Sequence, residues 1–267
     1  MKKIDQNNPL LERLDASKIL SFVSKENLCY LSDLDIFESI PSTNQFLLEH
    51  AKTSPSGRFC LAEEQTAGRG RRGRTWDSPK GGNIACSLLW RFKGEQSVSG
   101  LSNAIGVMVI HVLQQLGITE DLKLKWPNDI LFARRKLAGI LLEKVGECIV
   151  IGIGMNLHLP EPKVKERIDI SEIMDKTITR NALVGSLVNE LLIGLTLFQQ
   201  EGLKPFIDEW RKHDYLAECN VKVSTPVNEL NGLAQGINEA GELIVCDQDQ
   251  KLHVFSYGEV TVRFSDS

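Results

Sequence analysis

The residues from Gly68 to Asn83 hold the side chains best suited to binding an anion. Arg69, Arg71, Arg72 and Arg74 lie within seven residues and are interspersed with glycines. Guanidinium groups offer paired hydrogen-bond donors to carboxylate or phosphate, and glycine lets a backbone lie close against a ligand. The pattern indicates a mobile loop that closes over an anionic ligand, although on residue types alone a solvated basic hairpin loop explains it equally well.

The sequence of the same loop matches the patterns of two phosphate-binding motifs. Gly68, Gly70 and Gly73 fit the dinucleotide pattern G-x-G-x-x-G, and residues 68–75 fit the phosphate loop of nucleotide hydrolases, except that Arg74 replaces the required lysine. Both motifs need a helix that begins inside the loop, because its N-terminus supplies the amides that hold the phosphate. The next ten residues contain one proline and two glycines without a helical apolar pattern. Neither motif is therefore expected to be functional.

The bulk composition describes a globular protein with a large core. Its 267 residues are 42% hydrophobic and 25% charged, with a formal net charge of -4. Overall negative charge disfavours general nucleic-acid binding, and an RNA-binding Arg/Gly tract would normally repeat. The apolar runs are too short to span a bilayer and no signal-peptide core is present, so we expect a cytoplasmic protein without a membrane partner. Six cysteines and five histidines lack paired metal-site spacings, so we expect reduced thiols.

Three further segments place polar or small residues at the ends of predicted strands. Residues 125–129, Lys-Trp-Pro-Asn-Asp, put a cation and an aromatic ring before a strong turn sequence. Residues 136–143, Lys-Leu-Ala-Gly-Ile-Leu-Leu-Glu, open an apolar strand with lysine, and Gly139 allows a close approach to the backbone. Residues 151–156, Ile-Gly-Ile-Gly-Met-Asn, end a third strand in small residues and an amide. Each has a purely structural explanation when taken alone, but together they are much more specific.

The elements predicted around these segments form an α/β domain followed by a small all-β domain. Hydrophobic periodicity and turn residues predict strands at 36–40, 58–63, 83–92, 122–126, 137–143 and 148–154. Predicted helices cover 98–116, 182–200 and 204–213, and another begins at the Pro-Ser-Thr cap of 41–43. Short strands then follow at 221–224, 233–237, 243–246, 253–256 and 259–264, with turns at 231–232 and 240–241. An apolar helical pattern runs from Leu10 to Val23.

The sequence resembles the biotin protein ligases. Five motifs occur in the family's order: Ser-Thr-Asn at 42–44, the stretch 65–76, and the segments 125–129, 136–141 and 152–156. The resemblance covers about residues 36–267, because the small β domain, with Gly-Glu-Val at 258–260, also looks like the family's C-terminal barrel. It implies an α+β fold, with a mixed-sheet catalytic domain of the class II synthetase-like biotin/lipoate ligase type over 36–218. A small SH3-like β-barrel over 219–267 would follow it, and a short helical leader over 1–35 would precede it.

The resemblance implies a two-step reaction. Biotin's carboxylate attacks the α-phosphate of MgATP to give biotinyl-5′-AMP and pyrophosphate. A lysine of the biotin carboxyl carrier protein, a subunit of acetyl-CoA carboxylase, then takes the biotinyl group as an amide. ATP and Mg²⁺ would be co-substrates and biotin the substrate, with no tightly bound cofactor. The resemblance is compatible with a monomer or a homodimer.

The resemblance also implies a role for each motif residue. Joining a carboxylate to a polyphosphate brings like charges together, so catalysis needs fixed cations; these would be Lys136, Arg69 and Arg71. Biotin would be bound by Ser42, Thr43, Asn44, Gln65, Gly68, Arg69, Gly70, Arg71, Lys136 and Gly139. The nucleotide would be bound by Arg69, Arg71, Arg72, Trp76, Lys125, Asn128, Asp129 and Asn156. Asp129 is also the candidate Mg²⁺ ligand.

One family feature is not expected here, and two other functions stay open. Many bacterial members carry an N-terminal winged helix-turn-helix that binds operator DNA, but at ~11 residues per helix the leader is too short for one. We therefore expect no DNA binding. A lipoate or octanoate ligase or transferase shares the fold, and a non-catalytic RNA-binding module would use the arginines on phosphates. The Gly-Arg-Gly-Arg-Arg-Gly loop beside Lys-Trp-Pro-Asn-Asp favours biotin.

Overall fold

A seven-stranded mixed sheet forms the centre of the protein. The computed structural model describes residues 12–92, 97–160, 164–174, 178–225, 228–256 and 261–264. The sheet consists of β1 (Asp33–Phe37), β2 (Arg58–Ala62), β3 (Asn83–Arg91), β4 (Leu122–Lys125), β5 (Asp129–Phe132), β6 (Arg135–Val145) and β7 (Cys148–Asn156). Its strand order is β1-β2-β3-β7-β6-β5-β4. Strands β1 and β2 are parallel, and the remaining neighbours are antiparallel.

Helices cover both faces of this sheet. They are α1 (Ala16–Leu20), α2 (Thr43–His50), α3 (Leu101–Gln115), α4 (Ile170–Ile173), α5 (Arg180–Glu201) and α6 (Ile207–Lys212), with short 3-10 helices at Asn27–Tyr30, Arg71–Gly73 and Lys204–Phe206. Helices α3 and α5 pack together over the main core, and α2 packs on the other face against β2, β3 and β7. Helix α1 and the 3-10 helix Asn27–Tyr30 pack on α5, and Ile19 of α1 is fully buried.

Strand alternation decides which side chains reach the α2 face. In β3, Ile84 and Leu88 belong to the main core, so Ser87 between them points to the opposite face. In β7, Ile151 and Ile153 belong to the same core, which leaves Gly152 on the face that carries α2. Small and polar residues such as Ser87 and Gly152 therefore line one part of the α2 face, whereas Leu89 and Val150 form an apolar cluster under α2 in another part. A ligand can lie on the part that carries the small and polar residues.

Helix α5 is the one helix in the described ranges that is long and apolar enough to cross a membrane. In its most apolar window, 61% of the residues are buried inside the protein. It packs against α3 as a core helix. Buried core helices commonly pass the same length and composition test, so this helix is weak evidence for a membrane span.

A five-stranded antiparallel sheet follows, as expected for a small SH3-like domain. Its strands are β8 (Asn220–Ser224), β9 (Glu229–Ile237), β10 (Leu243–Cys246), β11 (Leu252–Phe255) and β12 (Thr261–Phe264), in the order β11-β10-β9-β8-β12. The turn between β9 and β10 contacts the larger domain directly. The indole Nε1 of Trp126 donates to the carbonyl of Gly241 at 3.0 Å, and the Ser99 hydroxyl donates to the carbonyl of Ala240 at 2.6 Å.

Several predicted boundaries in the α/β part were wrong. The first strand is at Asp33–Phe37 rather than 36–40, and the long helix begins at Leu101 rather than at 98. The four-residue strand Asp129–Phe132 was missed, because the turn-forming Pro-Asn-Asp sequence obscures so short an apolar run. The segment predicted as one helix over 204–213 is a 3-10 turn continued by α6.

The predicted turn at Asn231-Gly232 was also wrong, because both residues lie inside β9. A Cβ added at Gly232 would lie 2.4 Å from the carbonyl oxygen of Cys246, so this glycine permits close strand approach rather than a turn. The last strand begins at Thr261, and the Gly-Glu-Val sequence of 258–260 lies outside the described residues. So does the start of the predicted N-terminal helical pattern, since the description begins at residue 12.

Candidate active site

A cleft of about 370 Å³ opens on the α2 face of the sheet. Its walls are strands β3, β6 and β7, the arginine loop and the N-terminus of α2, and Val262 and Arg263 of β12 close one side. It brings together most of the predicted site residues: Ser42, Thr43, Asn44, Gln65, Arg69, Gly70, Arg71, Arg72, Trp76, Lys125, Asn128, Asp129, Lys136 and Gly139. Their individual roles stay predictions.

The arginine loop, residues 68–76, is a hairpin that leans over the cleft. Trp76 N donates to the carbonyl of Gly68 at 2.9 Å, and Gly70 N donates to the carbonyl of Arg74 at 2.7 Å. At the tip, Arg72 and Gly73 both adopt left-handed backbone conformations, with φ of 57° and 71°. No α-helix begins within these described residues, in agreement with the rejection of both phosphate-loop motifs.

Two predicted site residues do not line the cleft. Gly68 lies at the base of the hairpin, where an added Cβ would be 2.3 Å from the carbonyl oxygen of Trp76. Asn156 is 2% exposed, and its Nδ2 donates to the backbone carbonyls of Lys136 at 3.1 Å and Ile168 at 3.0 Å. Both residues therefore support the walls of the site. Neither presents a polar side-chain group to a ligand in this structure.

The indole of Trp76 lies flat against β6 and β7, which carry glycines at the contact. Gly139 pairs with Gly154 across the two strands. A Cβ added at Gly154 would lie 2.4 Å from Trp76 Cε2, and one added at Gly139 would lie 3.3 Å from Trp76 Cζ3. The ammonium of Lys136 lies 5.4 Å from the centre of the ring, within the range of a cation–π contact. The glycines thus fix the ring, and the ring helps to fix the lysine.

Cations and amides gather at one end of the cleft. Lys136 Nζ donates to Asp129 Oδ1 at 2.6 Å, and Arg71 Nη1 donates to Asn128 Oδ1 at 3.1 Å. Asn128 is held in turn because its Nδ2 donates to the carbonyl of Ile140 at 2.9 Å. This end of the cleft can neutralise a ligand that carries several negative charges.

The Lys125 ammonium also belongs to this end. Burial lowers its pKa; Asp129 acts in the opposite direction, and the neighbouring cations Lys136 and Arg263 lower the pKa further. The ammonium is therefore held in an environment that is short of negative charge. A polyphosphate would supply that charge and favour the protonated form of Lys125.

Asp129 fits the role of a carboxylate for Mg²⁺ that arrives with a nucleotide. Mg²⁺ is typically bound by one or two protein carboxylates together with substrate phosphates and water. Within the described ranges, no group of three or more His, Cys, Asp or Glu side chains could hold a metal ion by itself. A single carboxylate such as Asp129 therefore suits a metal that is carried mainly by phosphate oxygens.

The other end of the cleft is a chain of polar side chains. Gln65 Oε1 accepts from the backbone N–H of Thr43 at 2.9 Å and from its hydroxyl at 3.0 Å. The Thr43 and Ser87 hydroxyls are 2.7 Å apart, and Ser87 donates to Asn44 Oδ1 at 2.6 Å. Asn44 Nδ2 donates to a carboxylate oxygen of Glu143 at 2.9 Å. Ser42 is the N-cap of α2, and its hydroxyl accepts from Gln45 N at 3.4 Å.

This row of hydrogen-bonded side chains has one hydrogen atom fewer than its oxygen–oxygen contacts need. The Thr43 N–H fixes the amide oxygen of Gln65 toward the chain, and Glu143 fixes the Asn44 amide with its oxygen toward Ser87. Each hydroxyl carries one hydrogen, so two hydrogens serve the three oxygen–oxygen contacts from Gln65 through Thr43 and Ser87 to Asn44. A ligand N–H that donates to either amide oxygen would release a hydroxyl hydrogen for the third contact. This end of the cleft is therefore complementary to a hydrogen-bond donor.

The structure adds residues that the sequence did not single out. They are Ser87, Glu143, Arg167, Val262 and Arg263. Strand alternation could have identified Ser87, since it is a polar residue between core positions of β3. Arg167 lies at the rim of the cleft and pairs with Asp77 at 2.6 Å, a contact that no local pattern predicts.

Comparison with known proteins agrees with this geometry. Residues 36–156, which contain all the predicted site residues, match the model of the biotin/lipoate A/B protein ligase family. The solved structure of the biotin protein ligase from Aquifex aeolicus in complex with biotin and ATP is similar, with a TM-score of 0.79 and 26% identity. The similar region covers 88% of this chain and 100% of that one.

Curated relatives extend the similarity over nearly the whole chain. The bifunctional ligase/repressor BirA of Salmonella typhimurium is 37% identical over 265 residues, which cover 96% of this chain and 80% of the relative. A biotin–acetyl-CoA-carboxylase ligase of Mycobacterium tuberculosis is 31% identical over 238 residues, which cover 85% of this chain and 88% of the relative. With this identity and coverage, and with the family's fold, the chain belongs to the biotin/lipoate A/B protein ligase family.

Proposed function

We propose that this protein is a biotin protein ligase, and that the cleft is the site of both reaction steps. In the first step, an oxygen of biotin's carboxylate forms a bond to the α-phosphorus of ATP and pyrophosphate leaves. In the second step, the amine of a carrier lysine forms a bond to the acyl carbon and AMP leaves. The relatives named biotin ligases, and the neighbouring structure solved with biotin and ATP, support this proposal.

The hydrogen shortage at the Thr43–Ser87 contact is the observation that carries the choice of biotin. Biotin's ureido group has two N–H donors, and one of them can supply the donor that Asn44 Oδ1 or Gln65 Oε1 calls for. Lipoate ends in a dithiolane ring and octanoate in a methyl group, neither of which donates a hydrogen bond. Either would leave the shortage in place. Unpaired buried polar groups discriminate strongly between otherwise similar ligands.

The opposite end of the cleft supports the chemistry of the first step. Biotin's carboxylate and the phosphates of ATP repel each other, and Lys136, Arg69 and Arg71 supply positive charge around them. Lys136 would contact the carboxylate, and Asp129 would bind the Mg²⁺ of MgATP. The hairpin with Arg69 and Arg71 would close over the adenylate and keep water from it.

We extend the proposal to the partner and the organisation of the chain. The acceptor would be the biotin carboxyl carrier protein of acetyl-CoA carboxylase, since relatives of this chain are named for that enzyme. The catalytic domain would span 36–218, the SH3-like domain 219–267, and the enzyme would act in the cytoplasm as a monomer or homodimer. The expectation of no DNA binding stays a prediction, which an electrophoretic shift with its own promoter at physiological salt would contradict.

Biotin-dependent exchange of labelled pyrophosphate into ATP tests the proposal. Purified protein with MgATP should support exchange with biotin and not with lipoate or octanoate at equal concentration. A carrier domain with its acceptor lysine should then gain the biotinyl group, and the same domain with arginine at that position should not. Exchange driven by lipoate would make the lipoate ligase function correct instead. RNA binding with steep salt dependence and no adenylate would support the non-catalytic alternative.

A further inference from the structure

Glu143 lies outside the lining of the cleft, yet both of its carboxylate oxygens bond to residues that line it. On β6, its Oε1 accepts from Arg69 Nη2 at 2.7 Å, and its Oε2 accepts from Asn44 Nδ2 at 2.9 Å. Arg69 belongs to the arginine loop and Asn44 to the first turn of α2. One carboxylate therefore connects the loop to the polar end of the cleft.

The Asn44 amide is held on three sides. Ser87 Oγ approaches its oxygen at 2.6 Å, and Glu143 approaches its nitrogen at 2.9 Å. On the third side lies Gly152, where an added Cβ would be 2.3 Å from Asn44 Oδ1. The amide has no room to swing away. Its one remaining freedom is a flip that exchanges the oxygen and the nitrogen.

Glu143 determines which of the two orientations the Asn44 amide adopts. An ionised carboxylate accepts hydrogen bonds and donates none, so it must face the Asn44 NH₂ group. The Asn44 oxygen is thereby turned toward Ser87, which is the orientation that leaves the hydroxyl chain one hydrogen short. A glutamine at 143 could present its own NH₂ group instead. Asn44 could then flip, donate to Ser87 and satisfy the chain without a ligand.

We propose that Glu143 is a positioning residue that sets the head-group selectivity of the site by fixing the Asn44 amide. Because the same carboxylate also accepts a hydrogen bond from Arg69, it couples the position of the arginine loop to that of the polar end of the cleft, where the ureido head group of biotin would bind. The inference rests on the proposed function, since biotin is taken to be the substrate. It predicts a change in which ligands are preferred, and a general loosening of the fold would not produce that change.

The test compares biotin with its two cyclic carbamate analogues, each of which has a different one of the two ureido N–H groups replaced by oxygen. Dissociation constants are measured by calorimetry for wild-type protein, Glu143→Gln and the control Glu147→Gln. Glu147 is an exposed glutamate in the turn after β6, so the control removes the same charge outside the site. In Glu143→Gln, the preference for biotin over the carbamate that wild-type protein binds more weakly should fall by about tenfold, the usual cost of leaving one buried polar group without its hydrogen bond. The control should keep the wild-type preference.

A double-mutant cycle separates positioning from folding. Asn44→Ala should also lose the preference, and adding Glu143→Gln to it should change the preference no further, because Glu143 acts through Asn44. Melting temperatures of all variants identify any that fail to fold, and the cycle is read on folded variants. An equal loss of affinity for biotin and the more weakly bound carbamate in Glu143→Gln, an unchanged preference, or additive effects in the cycle would each overturn the inference. Failure of wild-type protein to catalyse biotin-dependent exchange would overturn the proposed function instead.

Discussion

Replacing Gly154 with alanine should push the indole of Trp76 out of its place in the cleft. An added Cβ would lie 2.4 Å from Cε2, 2.6 Å from Cζ2 and 2.7 Å from Nε1 of the ring, whereas ordinary contacts begin at 3.4 Å. The strand is held by hydrogen bonds to both neighbours, β3 and β6, so the ring moves and the backbone stays. The required displacement is about 1 Å, from the usual carbon–carbon contact distance.

The displacement should lower both the unfolding free energy and the reaction rate. Overpacking a well-packed site typically costs about 1–3 kcal/mol of unfolding free energy. The ring also contacts the Lys136 ammonium, 5.4 Å from its centre, so the cation that we propose for catalysis moves with it. A misplacement of about 1 Å at a reacting group reduces the rate by roughly a hundredfold. The activity of Gly154→Ala should therefore fall much more than its stability.

The assay is biotin-dependent pyrophosphate exchange, with melting temperature measured on the same samples. Gly106→Ala is the matched control, because its added Cβ meets Leu124 at 3.1 Å in the core, away from the indole. It should keep full exchange activity. Gly139→Ala should have an intermediate effect, because its added Cβ would meet Lys136 Cε at 3.1 Å, Lys136 Nζ at 3.2 Å and the indole at 3.3 Å. If Gly154→Ala keeps more than half of the wild-type rate, the indole does not lie on β7 as described, and the reasoning fails.

Three further predictions test the charges of the site and of the core. Lys136→Ala and Arg69→Ala should each reduce adenylate formation by about tenfold or more with little change in melting temperature, because each removes a fixed cation; near-normal pyrophosphate release would exclude that residue from its role. Burial raises the pKa of Asp214 to about 6, above its unfolded value of about 3.9, so the folded protein binds this proton more tightly and stability falls as pH rises between those values. Asp214→Asn should therefore gain about 1–3 kcal/mol at pH 7 and nothing near pH 4, and a pH-independent difference in denaturant unfolding would contradict this. Arg180 is fully buried against Glu63, and Arg180→Ala should lower the unfolding free energy by about 3–5 kcal/mol, since it leaves an unpaired buried carboxylate; a loss below 1 kcal/mol in the same measurement would refute it.

The order and type of most elements could be predicted from the sequence. Long apolar runs such as β3 and β7, and the cap that starts α2, carry strong local signals. The short strand β5 and the continuation of strand β9 through residues 231–232 could not be predicted, because each depends on a partner strand. Gly232, for example, has the composition of a turn residue, but it is there because the backbone of Cys246 lies against it.

The site divides in the same way. The sequence motifs were enough to identify most of the predicted site residues that line the cleft, including the Ser-Thr-Asn segment at 42–44 and the arginine loop. The motifs could not distinguish residues whose side chains line the cleft from residues that support the strands around it, such as Asn156. Strand alternation could have identified Ser87, but Glu143 was missed because its importance comes from distances across the sheet. A glutamate inside a strand has no local feature that sets it apart from a solvent-facing one.

The position of Lys136 in the cleft depends on an irregularity in strand β6. Strict alternation along β6 would place Lys136 on the face opposite Gly139 and Glu143. The pairing with β5 is irregular at this point, since Leu131 pairs with Lys136 but Ile130 pairs with Ala138, so β6 gains one residue. Such a bulge reverses the alternation. Leu137 is buried in the core, whereas Lys136 reaches Asp129 and the indole in the cleft. The bulge thus brings Lys136, the cation that we propose for catalysis, onto the same face as Gly139 and Glu143 of its own strand.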